Sequence, residues 1–76
     1  MKWRYQPVIE PDGSCVLVEV FYNGKKPMGY AELDRSPMGN DQDDLILELK
    51  LMLRDAMAHK ACTRDELDVT YTRRSE

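Results

Sequence analysis

Residues 40–60 read NDQDDLILELKLMLRDAMAHK, and the reading of this stretch decides the fold. Leu45, Ile46, Leu49, Met52, Leu53, Ala56 and Met57 recur at intervals of three and four. At about 100° per residue they form one continuous apolar stripe on a helix from Asp41 to about Lys60. Such a stripe is expected to lie on a sheet. Upstream, Ser36-Pro37-Met38-Gly39-Asn40-Asp41 interrupts the preceding structure, and Asn40 or Asp41 can accept the orphan N–H groups of the first turn. Asp43 and Asp44 complement the positive end of the helix dipole, while Arg54, His59 and Lys60 collect towards its negative end.

Working outward, the preceding chain reads as three strands. From Lys2 to Ile9, Trp3, Tyr5 and Ile9 alternate with Lys2, Arg4 and Gln6, as in a half-buried strand. Glu10-Pro11-Asp12-Gly13 is a turn, because proline presets one φ angle and glycine accepts a positive one. Ser14 to Tyr22 is apolar on both sides except at Glu19, the pattern of a central strand. Asn23-Gly24 marks a hairpin, and Lys25 to Leu33 forms a third strand with Pro27 near its start, on an edge.

A first loop over 10–13 sets Ile9 opposite Ser14, which pairs Tyr5 with Val18, Trp3 with Val20, and Arg4 with Glu19 as an opposite-charge match. One face then carries Trp3, Tyr5, Pro7, Val16, Val18, Val20, Tyr22, Ala31 and Leu33, and is expected to hold the helix. The other face carries Val8, Leu17, Phe21, Met28 and Tyr30, an apolar cluster that one helix on the far side cannot cover. It admits three readings: wetted surface, a homodimer contact, or a site for a small molecule or peptide. On the helix, Leu47 and Leu51 point away from the core stripe at i, i+4; scattered exposed leucines are ordinary, which is the favoured reading, and the alternative is that the pair packs on a second copy.

Beyond the helix, Thr63-Arg64-Asp65-Glu66 has the form of a capping box and is expected to start a helical turn ending near Leu67. Val69 and Tyr71 have strand propensity, so the tail can add a fourth strand, in its own sheet or in a partner's, whereas 73–76 is expected to be disordered. The expected organisation is one α+β domain over 1–68 and a tail over 69–76.

Composition narrows the function classes. A chain of 76 residues is stable by a narrow margin unless it self-associates. Net charge is −3 with 33% charged residues, so no basic field exists to hold nucleic acid. No apolar run approaches membrane-spanning or signal-peptide length, and a cytoplasmic location is expected. Cys15 and Cys62 lie far apart and form no CxxC pair, which favours reduced thiols. Asp55 and His59 at i, i+4 have a spacing that can hold a divalent metal, but no second histidine or cysteine completes a ligand set, so a solvated flank is the favoured reading. His59, the single histidine, has no paired nucleophile, and its place near a helix C-terminus favours its charged form. Gly13, Gly24, Gly29 and Gly39 read as turn and packing residues rather than a phosphate loop. Trp3 and Tyr22 read as core rather than as base-stacking platforms, and Met52 and Met57 as core filling rather than an adaptable groove. No catalytic residue, cofactor or metal is expected.

The runs DGSCVLVEVFY, GKKPMGYAE and SPMGNDQDDLILELKLMLRDAM resemble a group of short bacterial proteins of unknown function. These share a Trp-x-Tyr start, an Asp-Gly-Ser turn, and a glycine-acidic lead into a Leu-Met-Leu helix, and the resemblance covers about 3–60. More distantly, three strands followed by a capped helix are similar to the HicB-like antitoxin fold, which implies a module that binds and blocks a small ribonuclease toxin. Neither resemblance supplies a catalytic residue. The expectation is therefore a three-stranded antiparallel meander with one long helix across one face, acting as a noncatalytic protein-interaction module. Its expected partner is a second copy or a small protein, with no nucleic acid and no membrane; a toxin-neutralising or small-ligand-binding regulatory module is the alternative. The candidate interface is Val8, Leu17, Phe21, Met28, Tyr30, Leu47 and Leu51.

Overall fold

The computed structural model describes residues 1–33 and 36–73. Its elements run β1 (Lys2–Ile9), β2 (Cys15–Asn23), β3 (Lys26–Glu32), α1 (Gln42–Ala58), β4 (Cys62–Thr63), α2 (Arg64–Thr70) and β5 (Thr72–Arg73). The fold is α+β, and β1–β3 form the expected antiparallel meander. That meander is only the centre of a mixed five-stranded sheet of order β4-β1-β2-β3-β5. The outer strands β4 and β5 run parallel to β1 and β3 respectively. The expected single turn after Thr63 is the seven-residue helix α2. Arg73, expected to be disordered, lies in β5, and 74–76 fall outside the described residues.

The registers correct the expected faces. Ile9 pairs with Cys15, Tyr5 with Glu19, Arg4 with Val20 and Trp3 with Phe21, a one-residue slip that turns every β1 side chain over relative to β2. The cause is the loop. Asp12 Oδ1 accepts from the Ser14 amide at 2.9 Å and from its hydroxyl at 2.7 Å, while the Glu10 amide donates to the Ser14 carbonyl at 2.8 Å. This Asx-type bonding keeps Ser14 in the loop and lengthens it by one residue. Gly13 supports the turn with φ +90°.

The second slip has a different origin. Asn23 pairs with Lys26 and Tyr22 with Pro27, but Phe21 pairs with Gly29, so Met28 is an extra residue in β3 and forms a bulge. Pro27 has no N–H to give the ladder, which suits the irregular position. Beyond the bulge, Tyr30 faces Val20 and Glu32 faces Val18.

Both slips together gather Val8, Val18, Val20 and Tyr30 on one face. These four and Leu67 of α2 form the buried core cluster, with Cys62 and Tyr71 packed beside it. The valine face therefore holds the short C-terminal helix. α1 instead packs against β1, on the side that carries Tyr5, Glu19 and Leu33.

Local chemistry fixes α2 in place. Thr63 is its N-cap, its side chain accepting from the Glu66 amide while Glu66 accepts from the Thr63 amide, so two orphan donors are satisfied. Arg64 then forks onto Glu10 at 2.8 and 2.9 Å, reaches Glu32, and lies 5.9 Å from the centre of the Tyr30 ring. Glu10 follows β1 and Glu32 ends β3, so one guanidinium ties two strands to the start of α2. The bidentate geometry is specific to arginine. Tyr30 donates its hydroxyl to Asp68, and burial followed by that bond raises its pKa.

Removing the plug tests this account. Leu67→Ala is expected to cost about 3 kcal/mol and to lower the melting temperature by roughly 10 °C or more, measured by circular dichroism. The Arg64 hydrogen bonds hold the Glu10 carboxyl below its ordinary pKa of 4.5. A depressed carboxylate adds stability that is present above its unfolded pKa and lost as pH falls through the folded one. Acid melts below pH 4.5 should therefore fall less steeply for Glu10→Gln than for the wild type, and an unchanged slope would remove Glu10 from the account.

Candidate interaction surface

α1 starts as its sequence dictates: the Asp41 side chain accepts from the Asp44 amide, and Asp43 and Asp44 lie in the first turn. Gly39 allows a close approach, because a Cβ there would collide with the Leu45 backbone nitrogen. At the other end no basic residue occupies the last turn, and His59 serves as the C-cap through its backbone. Burial, followed by Arg4, lowers the His59 pKa and opposes the charged form expected from the helix end.

The helix docks by a face other than the apolar stripe. The buried residue in α1 is Asp55, whose Oδ2 accepts the Tyr5 backbone N–H at 3.0 Å. Its Oδ1 accepts from Arg54 at 3.1 Å. Two turns earlier, Glu48 accepts the Tyr5 hydroxyl, and burial, followed by that bond to Glu48, raises the Tyr5 pKa. β4 reaches only Val8 and Ile9, so the Tyr5 amide lies on an uncovered edge and needs an acceptor. A carboxylate on α1 supplies it. Glu48 and Asp55 fall about 20° apart around the helix, and this polar line faces β1.

The cost of that choice appears on the far side. Ile46, Leu49, Leu53 and Met57, expected in the core, are 40%, 47%, 61% and 79% exposed. Of the expected stripe, Leu45 and Met52 are half-buried. Ile46, Leu49, Leu53 and Met57 form an apolar ridge along α1 that no element among the described residues covers, in a helix whose outer face is ordinarily polar.

The seven candidate residues do not form one patch. Val8 and Tyr30 are in the core beneath α2. Leu17 and Phe21 are half-buried on the opposite face, and Met28 sits at the bulge, 41% exposed. Leu47 is exposed and Leu51 half-buried, and both line an open groove of about 470 Å³ with Met38, Gly39, Asn40, Asp44 and Glu48. The ridge itself was missed because its residues satisfied the core pattern. The available signal was the alignment of Glu48 and Asp55 on one side of the helix, beside Met52.

Among the described residues no three histidine, cysteine, aspartate or glutamate side chains are grouped to hold a metal ion, and no helix is long and apolar enough to cross a membrane. Cys15 and Cys62 are both free thiols; Cys15 is exposed, and burial, ahead of Glu66, raises the pKa of Cys62. Compared with known proteins, the chain matches no family model, no curated protein and no solved structure. Neither resemblance noted above gains support from those comparisons.

Replacing Asp55 separates its hydrogen bond from its shape. Asp55→Ala leaves the Tyr5 amide without its acceptor and should cost about 1–3 kcal/mol, with faster hydrogen exchange at that amide. Asp55→Asn keeps an acceptor oxygen and should cost less. Equal losses in the two variants would show that the carboxylate does not dock the helix in this way.

Proposed function

We propose that this chain is a noncatalytic protein-interaction module that self-associates. The observation that carries the reading is the apolar ridge of Ile46, Leu49, Leu53 and Met57 on α1, 40% to 79% exposed and covered by no element among the described residues, since a contiguous exposed apolar patch of this kind marks an interaction surface.

A second copy is the simplest partner, since it is present whenever the chain is and a two-fold contact uses the same patch twice. Sedimentation velocity from low to high micromolar concentration is expected to show a species of twice the 8.9 kDa chain mass. A monomer throughout that range would overturn self-association. The toxin-neutralising and small-ligand alternatives would then be next to test, by coelution with a ribonuclease-like partner or by a thermal shift with candidate ligands.

A further inference from the structure

Resting on the self-association proposed above, we infer that the second copy docks along α1, the two helices lying antiparallel about a two-fold axis. Ile46, Leu49, Leu53 and Ala56 follow one another at intervals of three, four and three. That is the a/d spacing by which one helix interlocks with another. All four are exposed, and Met57 extends the ridge at 79% exposure. The spacing that in sequence suggests a helix lying on a sheet thus serves equally as a seam between two helices.

Charge selects the direction. Asp41, Asp43 and Asp44 are exposed at the start of α1, and Arg54 and Lys60 are exposed towards and beyond its end. Pairing Ile46 with Ala56 and Leu49 with Leu53 of the second copy sets Lys60 level with Gln42, beside the acidic start of the other helix, and Arg54, which also bonds Asp55, level with Glu48. Symmetry makes this match twice, and the helix dipoles also oppose favourably. A parallel pair would instead place the two acidic starts side by side. Lys50, also exposed, flanks the middle of the seam, where its aliphatic stem covers apolar surface while the ammonium stays in water.

Leu53→Lys and Leu49→Lys test the seam, because both positions are exposed in the single chain and the change should leave its circular dichroism intact. Each substitution is felt twice across the axis, so the dimer dissociation constant is expected to rise roughly a hundredfold or more by sedimentation equilibrium. Direction is read separately, and without either lysine variant, by oxidative cross-linking in a Cys15→Ser background. A mixture of Ile46→Cys and Ala56→Cys chains should link to each other, while Ile46→Cys alone should not link to itself. A wild-type dimer whose affinity neither lysine change alters would overturn the seam and leave self-association standing. Self-linking at Ile46 without the mixed link would overturn the antiparallel direction. A monomeric wild type would remove the underlying reading, and this inference with it.

Discussion

The short path from Thr63 to Thr72 has to join opposite edges of the sheet, and the shape of the molecule follows from that constraint. Thr63 is level with Cys15 through Ile9, and Thr72 is level with Phe21 through Gly29. In a flat sheet those points would be roughly 19 Å apart across the strands and roughly 20 Å apart along them, or roughly 28 Å on the diagonal. α2 rises about 10 Å over its seven residues, and the extended residues on either side add at most about 10 Å. A reach of about 20 Å joins the edges only if the sheet curls. The curl wraps Val8, Val18, Val20 and Tyr30 around Leu67, and Arg64 holds it closed by gripping Glu10 and Glu32.

Once α2 occupies the valine face, α1 must find its place elsewhere. Its polar anchors, Asp55 on the Tyr5 amide and Glu48 on the Tyr5 hydroxyl, meet the demands of an uncovered strand edge. An unpaired buried amide costs as much as a lost hydrogen bond or more, so satisfying it decides how the helix is rotated. The connector is held as well: Gln6, itself buried, donates to the Lys60 carbonyl at 3.0 Å and accepts from Arg4 at 2.6 Å. The helix is thus located by hydrogen bonds on one side and left apolar on another. The core and the outer ridge are two outcomes of the same allocation of faces.

The elements were largely legible in the sequence, and their mutual arrangement was not. The extent of β1, the approximate spans of β2 and α1, the Asp41 cap and the Thr63–Glu66 capping box depend on neighbours within a few residues, and those signals survive in the folded chain. The faces depend on single-residue events. One Asx bond at Asp12 and one bulge at Met28 each turned a strand over. The attractive Arg4–Glu19 match is not formed; Arg4 pairs with Val20, and its side chain bonds Gln6 and the Tyr5 carbonyl instead. The two-residue strands β4 and β5 carry no periodicity to read and exist because an edge stands beside them. The ridge on α1 was visible as a pattern, but a pattern names a stripe and not the surface that receives it.

The position of Leu67 in the chain has a consequence for biosynthesis. Val8, Val18, Val20 and Tyr30 are all in place, in chain order, well before the side chain that covers them. At about 5–20 residues per second, a ribosome takes roughly 2–7 s to add the 37 residues from Tyr30 to Leu67. The most recently made stretch of a nascent chain is still inside the ribosome, so Leu67 can reach the valine face only after the residues it covers have already emerged. The strands that form the trough for Leu67 are made first, and the side chain that closes it is made last of the five.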